Sequence, residues 1–153
     1  MISKIDGQIL SYLEQDSRIS FADLAEAVGL SKTPCWNRVK KLEQQGIIKG
    51  HTTILDSHKL GLQISAMLHV VVDFAQYQEF ELAVKANPSI VRCAAVTGDF
   101  DYVLEVLSTD MQSFDHLLRY ELSRLPGVNR FSTSIATREV KDTGKKLSLL
   151  LRT

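Results

Sequence analysis

The 153-residue sequence predicts an α+β protein with two domains that differ in their apolar periodicity. Up to residue 45, apolar residues recur every three or four positions, which is the spacing of helices packed on one face. From Leu62 onward, β-rich apolar runs alternate with helical stretches in the order βαββαβ. Residues 56–61 are polar and end in glycine. We therefore place domains at residues 1–55 and 62–153, joined by a linker at 56–61.

The first helix is predicted from Lys4 to Gln15. Ser3 and Asp6 have the spacing of an N-terminal capping pair. In such a pair the serine hydroxyl and the acid each accept a hydrogen bond from a backbone amide at the start of the helix. The apolar residues of this stretch share one helical face; they are Ile5, Ile9, Leu10 and Leu13.

A helix-turn-helix is predicted to follow. Its first helix spans Phe21–Val28 with Ser20 as N-cap, and its second spans Lys32–Gln45 with Ser31 as N-cap. Gly29 between them suits a left-handed helix end, since it lacks a Cβ. The three helices together predict a compact helical unit.

The second of these helices has two distinct faces. Cys35, Val39 and Leu42 are expected to point inward, and the outward face is polar and basic. Residues 31–50 contain five basic residues and one acidic residue, although the whole chain is formally neutral. A solvated polar face is the plain alternative, but the preceding helix and turn favour a DNA-reading helix. The candidate DNA-binding residues are Ser31, Lys32, Thr33, Asn37, Arg38, Lys40 and Lys41.

These residues suit different parts of DNA. Asn37 and Thr33 can read base edges in a major groove, and Lys32, Arg38 and Lys41 can bind phosphates. A short β hairpin is predicted within Ile47–Leu55, which would make this a winged helix-turn-helix.

The second domain is predicted to be ferredoxin-like, an α/β sandwich with both helices on one face of an antiparallel sheet. The other face needs cover, and we expect a second copy to supply it in a dimer. The apolar tail 145–151 is expected to add a strand at that contact, after an exposed loop at 141–144. The predicted elements are strands at 65–73, 90–96, 102–107 and 128–135 and helices at 76–86 and 111–125.

Composition gives no sign of catalysis or of a membrane segment. No apolar run approaches the roughly 18 residues of a membrane span, and the first residues lack the apolar core of a signal peptide, so we expect a cytoplasmic protein. Cys35 and Cys93 are expected to be core thiols, and the four histidines lack metal-ligand spacing. No phosphate loop, dinucleotide turn or nucleophile elbow occurs, so neither an enzyme nor a metal site is expected.

The chain resembles the Lrp/AsnC, or feast/famine, family of transcriptional regulators over nearly its whole length, most of all its leucine-responsive type. The resemblance rests on the order and spacing of several segments rather than on any single one. These are Ile5-Asp6, Asp16–Ser20, Leu24-Ala25, Val28–Ser31, Thr33–Cys35, Arg38–Glu43, Gly46–Gly50, Leu60-Gly61, Thr97–Tyr102, Asp110-Met111 and Leu125–Val128.

The resemblance implies an N-terminal domain that binds operator DNA and a C-terminal domain that binds an effector and pairs through its sheet. It further implies dimers that assemble to tetramers or octamers, with an amino acid such as leucine or another apolar one bound between dimers. No cofactor is implied. Carried over residue by residue, the effector pocket comprises Gly98, Asp99, Asp101, Tyr102, Met111, Ser134, Ile135 and Ala136.

The chemistry of the Gly98–Tyr102 loop fits that role. Asp99 and Asp101 could accept hydrogen bonds from an ammonium group, and amides around Gly98 could bind a carboxylate. A plain hairpin turn, with its aspartates bonded to backbone, is the alternative. Of the two, Asp101 is the first choice for effector binding.

The sequence therefore predicts a DNA-binding, nucleoid-associated regulator whose operator binding and assembly respond to an amino acid. The alternative is a non-specific architectural DNA-binding protein or a stand-alone amino-acid-binding protein, which would show little DNA sequence preference. Trp36 and Asn37 differ from the leucine-responsive member, so its operator sequence cannot be transferred.

Overall fold

The computed structural model describes residues 2–141 and 147–151. The chain forms two compact units. The first contains the residues up to Ile54 and the described residues after Val140, and the second spans Leu55–Val140.

Three helices form the first unit: α1 Lys4–Gln15, α2 Phe21–Ala27 and α3 Lys32–Gln44. The predicted serines Ser3, Ser20 and Ser31 precede them in extended conformation. Ser3 and Ser20 each accept the amide of the acid three residues later at 3.1 Å. Gly29 has φ +69°, the left-handed conformation predicted for the turn.

The predicted inward faces of these helices are confirmed. Side chains from all three helices meet in one buried cluster, which stabilises the unit by removing apolar surface from water. Its members are Ile9, Leu24, Ala25, Val28, Cys35, Val39 and Leu42.

The prediction of a β hairpin within residues 47–55 is wrong, because no strand forms between α3 and the first strand of the second unit. An isolated two-stranded hairpin is marginal in water unless one face is buried. Here Ile54 and Leu55 are 90% and 68% exposed, so these apolar side chains provide no such face.

The prediction of a strand in the tail is also wrong for the described residues. Leu147–Leu150 forms a 3-10 helix in the first unit rather than a strand in the second. Its start is held by α1, because the Glu14 carboxylate accepts hydrogen bonds from the Leu147 and Ser148 amides and from the Ser148 hydroxyl. Residues 142–144 of the predicted loop and 145–146 of the predicted tail strand lie outside the described residues.

The second unit has the predicted ferredoxin-like arrangement. Its four strands pair antiparallel, and across the sheet they follow the order second, third, first and fourth along the chain. The predicted second helix ends early, because its last turn is a separate 3-10 segment, Leu122–Arg124. The elements are β1 Ile64–Val72, α4 Tyr77–Ala86, β2 Ile90–Ala95, β3 Tyr102–Ser108, α5 Met111–Tyr120 and β4 Val128–Ile135.

The two faces of this sheet differ. One face packs against α4 and α5 around a cluster that includes Leu68, Phe80, Leu104 and Phe114. The opposite face, here called the open face, carries alternate residues of the same strands. It includes Met67, His69, Ala94, Val96, Val103, Glu105 and Leu107, none of which is fully buried.

Candidate functional site

The outward face of α3 is accessible as predicted. Thr33, Asn37 and Lys41 are exposed on it, and Ser31 and Lys32 are exposed at its start. Ser31 takes the N-cap position, but its side chain makes no capping hydrogen bond, unlike Ser3 and Ser20. Its hydroxyl is therefore not used in holding the helix end.

Arg38 has a partner inside the first unit. Its Nη1 lies 2.9 Å from Oδ1 of Asp6, so the ion pair joins α3 to α1. Partial burial acts to raise the pKa of the Asp6 carboxyl, but the hydrogen bonds from Ser3 and Arg38 and the charge of Arg38 outweigh it and lower that pKa. Arg38 thus helps to hold α3 against α1.

Lys40 is also engaged within the protein. Its Nζ lies 2.6 Å from the Glu43 carboxylate and 5.9 Å from the centre of the Trp36 ring. Among the described residues, Lys32 and Lys41 have no ion-pair partner. These two lysines are the cations of α3 best placed to bind phosphate.

The Gly98–Tyr102 loop is held to the end of β1 by Asp101. The Asp101 amide donates to the Val70 carbonyl, and its Oδ2 accepts the Val72 amide, both at 2.9 Å. Gly98 has φ +114°, a backbone conformation that residues other than glycine rarely adopt. Asp99 is exposed. One carboxylate oxygen of Asp101 therefore has a structural role, through a bond to β1 rather than to the backbone of its own turn.

Tyr102 belongs to the core. Its ring is buried against Phe80, and its hydroxyl donates to Oε1 of Glu81 at 2.8 Å. Burial, the hydrogen bond to Glu81 and the Glu81 charge raise the pKa of Tyr102 to about 12. Burial and the same carboxylate raise the pKa of the Cys93 thiol, which disfavours a reactive thiolate.

A cavity of about 430 Å³, here called the loop cavity, lies beside this loop. Asp101 and Tyr102 line it as predicted, and so do Phe74, Tyr77 and Glu81, which sequence analysis missed. The βαββαβ topology could have indicated them, since the β1–α4 and β2–β3 connections share one end of the sheet. The aromatic rings and two carboxylates can accommodate an organic ammonium group.

The remaining candidate effector residues lie away from this loop, from the middle of the sheet to its other end. Met111 starts α5 just after β3 ends, and the Ala136 amide donates to the Ser65 carbonyl near the start of β1. Ser134 and Ile135 pair with Met67 and Ala66. Met111 follows the far end of β3, roughly 20 Å from the Gly98–Tyr102 loop. Through Met67 and Ala66, Ser134 and Ile135 are in register with Glu105 and Val106, roughly 10–13 Å along β3 from Tyr102. A single chain therefore does not bring all eight residues together.

Other chemistry finds little support in the described part of the chain. Its histidines, cysteines and carboxylates form no group of three that could hold a metal ion. No helix within residues 2–141 and 147–151 combines the length and the apolar character needed to cross a membrane.

Two known domain families match the chain. Winged helix-turn-helix DNA-binding domains match residues 2–49, and the Lrp/AsnC ligand binding domain matches residues 65–145. The chain is also 38% identical to the leucine-responsive regulatory protein of Salmonella typhimurium over 147 residues, which are 94% of this chain and 90% of that protein.

Solved structures agree with these matches. A transcriptional regulator from Neisseria meningitidis in complex with L-Met is 30% identical, with a TM-score of 0.89, and the alignment covers 93% of this chain and 94% of that one. An AsnC family transcriptional regulator from Agrobacterium tumefaciens is 29% identical, with a TM-score of 0.86 and coverage of 94% and 95%.

Proposed function

This chain belongs to the Lrp/AsnC family of transcriptional regulators, and from that premise we propose that it binds specific operator sites and releases or rearranges them in response to an apolar amino acid. The observation that carries the proposal is the contrast between the buried and the exposed face of α3. Its buried side anchors the helix, while Thr33 and Asn37 face outward with Lys32 and Lys41, which form no ion pair with any described residue. Such a face can insert into a major groove.

The DNA contacts are assigned by chemistry. Lys32 and Lys41 bind phosphates and set affinity, and Asn37 and Thr33 read base edges. Ser31 donates its unused hydroxyl to a phosphate. Arg38 and Lys40, which are engaged with Asp6 and Glu43, contribute mainly by holding the helix and its side chains in place.

The effector assignment starts from the loop cavity. We propose that Asp101, Glu81 and the exposed Asp99 attract the ammonium group, and that amides around Gly98 receive the carboxylate. The Neisseria meningitidis relative was crystallised with L-Met, which supports an apolar amino acid. Met111, Ser134, Ile135 and Ala136 would complete the site from another copy of the chain.

Assembly is part of the proposal. A second copy covers the open face to form a dimer, and dimers join into tetramers or octamers around the effector. With DNA as its partner, the protein would work in the cytoplasm, on the nucleoid. Residues 56–61 would act as the linker between the DNA-binding and effector-binding domains.

The test is a DNA-binding titration against the region upstream of the protein's own gene and against a scrambled fragment of equal length. Each is measured without and with L-leucine, L-methionine and, as a charged control, L-glutamate. Preference for the upstream region that shifts with an apolar amino acid is the expected result. Equal binding to both fragments, unmoved by any amino acid, would instead support the architectural alternative.

Replacing Lys41 by Ala should weaken binding to every sequence and reduce the slope of log K against log salt by about 1 per subunit bound. The reason is that one phosphate contact, and the counterions it releases, is lost. Lys85→Ala, which removes an exposed lysine from α4, is the matched control and should leave the slope unchanged. An unaltered slope for Lys41→Ala would rule out its phosphate contact.

A further inference from the structure

Trp36 has no role in the assignments above, although its setting is unusual. It is the chain's only tryptophan and lies on α3 with 44% of its surface exposed. An indole is the largest apolar side chain, so leaving almost half of it in water forgoes burial that most tryptophans obtain. Its N–H also lacks an acceptor among the described residues. The ring is thus available to an external surface.

The structure holds this ring in place from its own helix. Lys40, four residues later, sets its Nζ 5.9 Å from the ring centre. The same Nζ is 2.6 Å from Glu43, three residues further on. Residues three and four apart are neighbours on a helix, so the three side chains form a continuous row. Lys40 is therefore a positioning residue for the indole rather than a free cation.

The neighbours of Trp36 on the other side are candidate DNA contacts. Lys32 and Thr33 precede it by four and three residues, so they adjoin it on the helix surface. Both are exposed. A surface that meets Lys32 and Thr33 must also meet the indole, which lies between them and Lys40.

We propose that Trp36 packs against the C5-methyl group of a thymine in the major groove and thereby sets part of the sequence preference. Thymine is the base that presents a methyl group there, and apolar side chains are its natural partners. Thr33 on the same face offers a single methyl group for that contact, whereas the indole of Trp36 offers a much larger apolar surface. The inference rests on the proposed DNA-binding function and adds to it the base that this residue recognises.

The experiment replaces each thymine of the preferred fragment, one at a time, by uracil, which removes only the methyl group. Wild type, Trp36→Phe and Trp36→Ala are titrated against every fragment. For wild type we expect the affinity for DNA to fall about fourfold when uracil replaces thymine at one or two positions. This is the change expected when one buried methyl group is removed. Trp36→Ala should bind the thymine fragment more weakly and be indifferent to uracil at those positions. Trp36→Phe should keep part of the sensitivity.

Tyr120→Ala is the matched control, since Tyr120 is a 53% exposed aromatic with a cation, Arg124, at 5.5 Å, but lies on α5. It should behave as wild type, and circular dichroism should show that all variants fold. Equal uracil sensitivity of wild type and Trp36→Ala at every position would overturn the inference alone. A wild type without any sequence preference would overturn the proposed function, and the inference with it.

Discussion

At the scale of single residues, Asp101 has two assignments. Its backbone and one carboxylate oxygen join the loop to Val70 and Val72 of β1. The family resemblance identified this aspartate as an effector ligand but not as a structural residue. The reason is that its hydrogen bond to Val72 spans 29 positions in the chain. At that separation, local sequence patterns do not show which residues will lie opposite each other.

Two substitutions of Asp101 separate these roles. Asp101→Ala leaves the Val72 amide without an acceptor and should lower the free energy of unfolding by about 1–3 kcal/mol. Asp101→Asn keeps an acceptor oxygen, so it should retain most of that stability while losing the charge that attracts an ammonium group. Urea denaturation gives the first quantity, and the amino-acid response of DNA binding gives the second.

Asp99→Ala, a change at an exposed neighbour, is the control and should alter stability by less than about 0.5 kcal/mol. If Asp101→Asn responds to amino acids as wild type does, the residue is a structural one only.

At the scale of elements, the three capping serines differ in the hydrogen bonds that their hydroxyls make. Ser3 and Ser20 cap their helices. Three residues after each serine is an aspartate whose carboxylate accepts a hydrogen bond from the serine hydroxyl at 2.6 Å. Ser31 has Pro34 at that position instead. Proline has no amide to donate, so the Ser31 hydroxyl has no capping bond to make there.

Ser20→Ala should therefore destabilise the protein by about 1 kcal/mol, the usual value of a helix cap, whereas Ser31→Ala should change stability little. Thermal unfolding followed by circular dichroism compares the two on the same chain. If Ser31→Ala destabilises as much as Ser20→Ala, then Ser31 caps α3 in solution.

The helices and strands were predictable because their signals are local: apolar periodicity, serine caps and proline or glycine breaks. The hairpin predicted within 47–55 and the strand predicted in the tail do not form in the described residues. A strand needs a neighbouring strand to pair with, and the sequence does not identify one. The described tail instead meets Glu14 of α1, more than 130 positions away.

At the scale of the whole molecule, the open face of the sheet has no covering layer from the described residues of its own unit. Met67 and Val96 are 38% and 39% exposed on it, and they line a shallow groove together with Arg92, Ala94, Val103 and Glu105. Sheets are stable when such a face is buried, so a second copy of the chain is the expected cover.

Val103→Lys should therefore convert the assembly to a 17.1 kDa monomer, because a lysine on the open face would have to be buried in the dimer. Sedimentation velocity measures the change. Leu82→Lys introduces the same charge at a residue of α4 that is 67% exposed, and it should leave the assembly intact. A monomeric wild type would contradict the proposed dimer.

The separation of the two effector segments along β3 has a consequence for how the protein senses its ligand. An amino acid is much shorter than the roughly 20 Å of β3 between the Gly98–Tyr102 loop and the candidate residue Met111. A ligand that contacts both must be enclosed by more than one chain, so its binding is linked to assembly by mass action. Its apparent affinity would then rise with the amount of regulator. Such a protein would respond jointly to nutrient supply and to its own abundance, and a dilute sample would understate its sensitivity.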